Sequence, residues 1–350
     1  MKVGMLTGGG DCPGLNALIR AVVRRTIGRY GGEVVGFRYG WAGVLEDNRV
    51  ALGVDEVSGI LPRGGTILGT SRTNPYKIEG GPEAIRETFE RNKLDAFIAV
   101  GGEDTLGVGY RLFQEGFPIV GVPKTIDNDI AGTDFTFGFD TAVSIATEAI
   151  DRLHTTAESH NRVVVVEVMG RHTGWIAVRS GIAGGADLIL IPEVPFTLRE
   201  ICEVIKKRHE RGKNFSIVVV AEGAEYPKDA PDAEEEGRYV FQHTAKDAFG
   251  HERLGGIGNK LAKLIEHETG YETRVTVLGY IQRGGTPTAF DRVLGTRFGV
   301  LAADLVHSKE FGKMAGLHGD KVIPVELSHA LDGLKRVDSE LYEVARTFFG

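Results

Sequence analysis

A chain of 350 residues with a formal net charge of -7 and a pI near 5.9 has room for one large or two medium domains, with a core that needs no disulfide or metal staple. The acidic balance argues against a nucleic-acid or anionic-membrane surface, because either favours an excess of Lys and Arg. No apolar run approaches a membrane span, and two cysteines, Cys12 and Cys202, exclude a disulfide framework and point to a reducing compartment.

The opening "MKVGMLT" breaks into the glycine triplet Gly8–Gly10 after seven residues, too few for a signal-peptide core, so a cytoplasmic protein is expected. Neither Cys nor His spacing suggests a zinc site. Glycine is the outlier, 49 of 350 residues, about twice the usual ~7%. Part of the excess follows the apolar runs "KVGMLT" and "AFIAV" as Gly8–Gly10 and Gly101–Gly102, where an open α/β sheet places its ligand loops.

In chain order, "KVGMLT" reads as a strand running into "GGGDCPG" and then a helix near Pro13, with Leu15, Leu18, Ile19, Val22 and Val23 at helical spacing. "EVVGF" reads as a strand, "GPEAIRETFERNKL" as a helix with Pro82 in its first turn, and "DAFIAV" as a strand. "LGVGYRLFQEG" follows as a helix and "FPIVGVP" as a strand. A second succession starts with the long helix "FGFDTAVSIATEAIDRLHTTAESH" and continues through the strands "RVVVVEV", "DLILIPEV" and "NFSIVVVAEG". "YPKDAPDAEEEG" reads as a solvated loop, followed by the helix "GNKLAKLIEHETG" and the strand "TRVTVLGYI". The predicted class is α/β, with two Rossmann-like three-layer lobes, mainly parallel sheets and an active-site cleft between them.

Three groups of residues could carry chemistry. The loop Gly8, Gly9, Gly10 matches neither a P-loop nor the Gly-x-Gly-x-x-Gly spacing, yet its amides and the following helix N-terminus suit an anion; a plain tight turn is the alternative. "GGEDT" adds Glu103 and Asp104, which repel phosphate unless a divalent cation intervenes, or else Asp104 or Thr105 caps the next helix. In "PKTIDND", an extended chain would point Asp127 and Asp129 to one side, with Lys124 and Thr125 able to reach a phosphate; an Asx-turn is the alternative. Arg72, Arg162, Arg171, Arg274 and Arg283 each adjoin a strand or glycine turn, where a guanidinium can clamp a phosphate dianion or simply lie at the surface.

"LTGGGDCPGLN", "GGEDT", "PKTIDNDI", "VMGRHTGWIA", "AEGAE" and "LGYIQRGGTPTAFDR" in this order resemble the phosphofructokinases over nearly the whole chain. The resemblance implies a phosphoryl-donor lobe at 1–139 plus about 282–332, and a fructose 6-phosphate lobe at about 140–281 plus 333–350. It implies Asp127 as the base for the sugar 1-hydroxyl, with Thr125, Lys124 and Arg171 at the transferred phosphoryl group. Gly10, Arg72 and Asp104 fall on the donor side, and Glu103 is the implied ligand of Mg²⁺. Met169, Gly170, Glu222, Tyr280 and Arg283 are implied sugar-phosphate contacts, and Arg162 and Arg274 resemble residues that reach the 6-phosphate from a neighbouring subunit. A homo-oligomer, dimer or tetramer, with shared sites is therefore expected.

Family members that use ATP typically carry glycine at the positions of Asp104 and Lys124; those that use pyrophosphate resemble this chain. Asp104 puts a carboxylate where the α-phosphate of ATP would lie, so reversible, pyrophosphate-dependent phosphorylation of fructose 6-phosphate is expected, with an ATP-dependent enzyme as the alternative. A catalytically dead sugar-phosphate sensor would be expected to lack Asp127 or the acid at 103. Glu103 replaces an aspartate common in the family, and Tyr280 a histidine, which removes a possible charge. Of the basic effector set seen in bacterial ATP-dependent members, Arg20, Arg24 and Lys213 remain, while Asp55 and His154 stand where arginine would. Weak allosteric control is the expectation.

Overall fold

A computed structural model of the chain describes residues 1–243, 248–250 and 253–350. Its elements in chain order are β1 (Lys2–Thr7), α1 (Leu15–Tyr30), β2 (Glu33–Phe37), α2 (Trp41–Leu45), β3 (Arg49–Ala51), α3 (Gly81–Asn92), β4 (Ala96–Gly101), α4 (Glu103–Gln114) and β5 (Ile119–Pro123). Then come α5 (Phe139–His160), β6 (Val163–Val168), α6 (Trp175–Ala183), β7 (Leu188–Leu190), α7 (Leu198–Glu210), β8 (Ser216–Ala221), α8 (Ala233–Glu236), β9 (Phe241–His243) and β10 (Arg253–Leu254). The chain closes with α9 (Ile257–Thr269), β11 (Thr273–Val277), α10 (Ala289–His307), β12 (Lys313–His318), β13 (Lys321–Glu326) and α11 (Ser339–Arg346).

These elements form two compact units. The first takes in Met1–Thr141 and Arg283–Leu334, the second most of 142–282 and Lys335–Gly350. The first holds a seven-stranded sheet in the order β13-β12-β5-β4-β1-β2-β3. Its inner strands are parallel, and antiparallel β3 and β13 close the two edges. Alternate residues Leu6, Phe37, Phe97 and Ile119 share one core with Ile85 and Phe89 of α3 and Leu106 and Leu112 of α4. The opposite set, Met5, Ile98, Val100 and Val120, is also fully buried. Both faces being covered explains why these strands read as continuous apolar runs.

The second unit is built on a four-stranded parallel sheet, β11-β6-β8-β7. Val163, Val165, Val218 and Val220 pack with Ile201 and Ile205 of α7 and Leu261 and Ile265 of α9. Three helix starts receive a carboxylate from a distant part of the chain, and two of them, α6 and α9, have a glycine N-cap with no side-chain cap. Asp291 accepts from Thr141 in the first turn of α5, Glu193 from Gly174 at the start of α6, and Glu167 from Gly256 and Gly258 at the start of α9. Each satisfies N–H groups that the helix leaves open, in the field of its positive end.

Several sequence-based expectations shift. α4 begins at Glu103, before the expected Leu106, so both carboxylates lie in a helical first turn instead of a loop. "DLILIPEV" keeps only three strand residues, Leu188–Leu190, and β11 ends at Val277, with Tyr280 on a 3-10 turn over Gly279–Arg283. The 226–237 segment is not wholly solvated: Tyr226 and Ala230 enter the second core, and 233–236 form a helical turn. The helices α2, α6, α7, α8, α10 and α11 and the strands β3, β9, β10, β12 and β13 were not foreseen; β3 and β13 are edge strands whose weak alternation hides them.

Candidate active site

In the first unit, three loops at the C-terminal ends of β1, β4 and β5 converge, as expected for a parallel sheet. The β1–α1 loop is fixed from two sides. A side chain at Gly8 would lie 2.6 Å from Thr105 Oγ1, and one at Gly10 would lie 2.6 Å from Arg283 Nη1. The short Thr105 side chain leaves no room for a Cβ at Gly8, and one at Gly10 would displace the Arg283 guanidinium. Arg283 also donates to the Asp11 carbonyl at 3.3 Å. Arg283, expected on the sugar side, is thus placed beside Gly10.

Lys124 lies just past β5 and is buried, at 3% exposure. Its backbone N–H donates to Gly101 O at 2.9 Å, and its ammonium donates to the Gly10 carbonyl. Burial lowers its pKa, with the nearby Arg283 charge acting the same way and Cys12, Asp11 and Asp127 opposing. Burial also pushes the Cys12 thiol up to about 12, which makes it an inert neighbour. The three loops are therefore cross-linked through one lysine.

After Lys124 the chain is not extended. Asn128 adopts φ of 54°, a left-handed turn that Asn tolerates, and its Oδ1 accepts from Thr136 N at 3.1 Å. Thr136 Oγ1 donates to Thr125 O at 2.7 Å, and Asp127 N donates to Thr125 Oγ1 at 3.0 Å. Asp127 and Asp129 share a neighbourhood through this turn and not through strand alternation. Burial first, then the Asp127 charge, push the Asp129 carboxyl up to about 7, with Glu103 adding and Thr125 opposing. Sequence reasoning read Asp129 only for its direction; the Asp-Asn-Asp spelling, with Asn able to turn, was the available signal for a carboxylate pair.

Glu103 is exposed and Asp104 half-buried in the first turn of α4, whose N-cap is Gly102 with no side-chain cap. Asp104 and Thr105 lie inside the first turn of α4, after its N-cap Gly102, so neither is the N-cap residue. Arg72 is exposed on the loop after Gly69.

In the second unit, the expected sugar contacts separate into two sets. Met169, Gly170, Arg171 and Glu222 follow the C-terminal ends of β6 and β8. Met169 N donates to Gln282 Oε1 at 3.3 Å, Glu222 N to Val168 O at 2.9 Å, and Gly223 N to Gly170 O at 3.1 Å. Gly170 has φ of 136° and would press a Cβ to 2.6 Å from Thr173 O, so only glycine makes this turn. Arg171 Nε is buried and makes no hydrogen bond among the described residues. Tyr280 is 70% exposed.

Arg162 and Arg274 lie at the opposite end of the same sheet. Arg162 immediately precedes β6, while Met169 immediately follows it, so the two ends are about 20 Å apart at ~3.3 Å per residue. Strand pairing sets Thr273 beside Val163 and Arg274 beside Val164, which brings Glu272 level with Arg162. Arg162 Nη2 and Glu272 Oε1 form an ion pair of 2.8 Å, and Arg274 donates to the same oxygen. Glu272 escaped the sequence reading although it sits two residues before Arg274.

The family model described as Phosphofructokinase matches residues 2–306. The chain belongs to the phosphofructokinase family. It is 58% identical over 350 residues to a pyrophosphate--fructose 6-phosphate 1-phosphotransferase of Amycolatopsis methanolica, covering 100% of both chains. It is 53% identical over 351 residues to an ATP-dependent 6-phosphofructokinase of Mycobacterium tuberculosis, again covering 100% of both. Phosphofructokinase from Saccharomyces cerevisiae superposes with a TM-score of 0.80 at 31% identity over 99% of this chain, which spans 46% of that longer chain.

For a phosphofructokinase the carboxylates suit a Mg²⁺ ion carried largely by its substrate. Glu103 and Asp127 both act electrostatically on Asp129, a concentration of negative charge that a cation relieves. Among the described residues no group of three or more His, Cys, Asp and Glu could hold a metal by itself. No described helix is long and apolar enough to cross a membrane.

Proposed function

We propose that this phosphofructokinase transfers a phosphoryl group from pyrophosphate to the 1-hydroxyl of fructose 6-phosphate, reversibly, in the cytoplasm. The observation that carries the choice of donor is the pair formed by Asp104, in the first turn of α4, and Lys124, buried against the Gly10 carbonyl. A carboxylate here disfavours the third phosphate and nucleoside of ATP, while an ammonium beside the loop suits the compact charge of pyrophosphate. The curated relative at 58% identity is named for the same reaction.

The roles follow the positions. The first unit binds the donor through Gly10, Arg72 and the bare loop amides, with Glu103 facing Mg²⁺, which supplies charge neutralisation at the phosphates when bound. Asp127 takes the hydroxyl proton, and Thr125, Lys124 and Arg171 steady the phosphoryl group. The second unit binds the sugar phosphate through Met169, Gly170, Glu222 and Tyr280. Arg162 and Arg274, at the other end of that sheet, serve the 6-phosphate of a neighbouring copy. The separation of about 20 Å supports this, since one sugar phosphate cannot span both ends of a strand.

The test is the initial rate with fructose 6-phosphate and Mg²⁺, comparing pyrophosphate with ATP, on the wild type and on Asp104→Gly combined with Lys124→Gly. Turnover with pyrophosphate, near inertness with ATP, and a gain of ATP use in the double variant are expected. A wild type that prefers ATP overturns the donor assignment and leaves the base in place.

A further inference from the structure

Arg162 and Arg274 approach each other although like charges repel. They are bridged by one atom, Glu272 Oε1, which accepts from both guanidinium groups, while Arg274 Nη1 also donates to the Thr273 carbonyl at 3.0 Å. The arrangement is fixed by the backbone: Val163 N donates to Glu272 O at 3.0 Å, and the parallel register of β11 on β6 sets Glu272 beside Arg162. The three side chains are 29%, 40% and 54% exposed, for Arg162, Glu272 and Arg274 respectively, so a solute can reach them. Other charges nearby are weaker partners: Glu266 lies 3.9 Å from Arg274 Nη1, and His160 is felt at Glu272 only as a minor influence. One oxygen bridging two guanidinium groups is the arrangement a phosphate oxygen also adopts.

We infer that Glu272 is a built-in stand-in for the sugar 6-phosphate, holding Arg162 and Arg274 together and setting the affinity for the incoming phosphate by competing with it. The inference rests on the proposed role of the two arginines toward fructose 6-phosphate. An arriving dianion brings more charge and more acceptor oxygens than the carboxylate, so it displaces Glu272, which then swings to solvent. The carboxylate therefore tunes KM, and it is a positioning residue that touches no reacting atom.

The test is Glu272→Gln in the full chain, a change of charge at constant shape on a half-exposed side chain. Steady-state rates at saturating Mg-pyrophosphate are read together with the dissociation constant of fructose 6-phosphate from calorimetry. Because exposed ion pairs are worth up to about 1 kcal/mol, KM and the dissociation constant for fructose 6-phosphate should both fall about two- to fivefold. The change should fall on these constants and leave the KM for pyrophosphate where it was. Values equal to or above wild type overturn the competition. A wild type that does not turn over with pyrophosphate overturns the functional proposal instead, and the calorimetric comparison still decides the role of Glu272.

Discussion

Lys124 and Gly10, 114 residues apart in sequence, are joined by a hydrogen bond from a buried ammonium to a loop carbonyl. The bond orients the β1–α1 loop and places a positive charge under it. Lys124→Met keeps the volume of the side chain and removes both charge and donor. We expect kcat/KM for pyrophosphate to fall about 100-fold or more, as for other preorganised electrostatic contacts. The melting temperature should change little, because removing a buried charge offsets the lost bond. A collapse of stability with normal residual kinetics would make the lysine a structural strut.

Asp127→Asn tests the base. The side chain keeps its size and its place in the turn around Asn128, so binding should survive. A general base contributes about 10²- to 10⁴-fold, and kcat should drop by that range with KM for both substrates changed only severalfold. Retention of full kcat would remove Asp127 from the mechanism.

The burial of Asp291 predicts a pH dependence of the fold. Burial raises its carboxyl from 3.8 to about 6, while its bonds to Thr141 work against the shift. A raised pKa means that the protonated form is the better folded one. Its contribution is complete below about pH 4 and is lost as pH rises through about 6. Asp291→Asn removes that titration, so the melting temperature of the variant relative to wild type should rise by a few degrees between pH 4.5 and 7.5. A constant difference across that window would show that Asp291 titrates alike in folded and unfolded chains.

Effector control should be weak. Asp55 is exposed and contributes the wrong charge, and His154 is spent on the Gly184 carbonyl, 2.6 Å from its Nε2. The saturation curve for fructose 6-phosphate should move by less than about fivefold, the low end of allosteric coupling, with ADP or phosphoenolpyruvate. A larger displacement would reveal an effector site that Arg20, Arg24 and Lys213 assemble without those two residues.

The parallel strands were legible because they are buried on both faces, which spells them as unbroken Val and Ile runs such as Val163–Val168. The glycine loops were legible for a related reason: Gly8 is kept from growing by Thr105, and a side chain at Gly10 would push the Arg283 guanidinium from its place. What composition and period cannot express is contact between distant residues. Arg283 against Gly10, the Asn128 turn that gathers Asp127 and Asp129, and Glu272 between two arginines are all set by tertiary pairing. The start of α4 at Glu103 was missed because Gly101 and Gly102 mask a helix whose first turn is acidic, a favourable charge at that end.

The strand order also sets a schedule for synthesis. β5, complete at Pro123, finds its second neighbour only in β12, which begins at Lys313. On the ribosome the growing chain therefore carries an apolar strand with one open edge through about 190 residues of elongation, a template for pairing with another nascent chain. Chains cut after Gly312 should aggregate where the full chain stays dispersed in light scattering. Addition of a peptide spanning 313–326 should suppress that aggregation. If the truncated chain stays as dispersed as the full one, the open edge is protected by other means during translation.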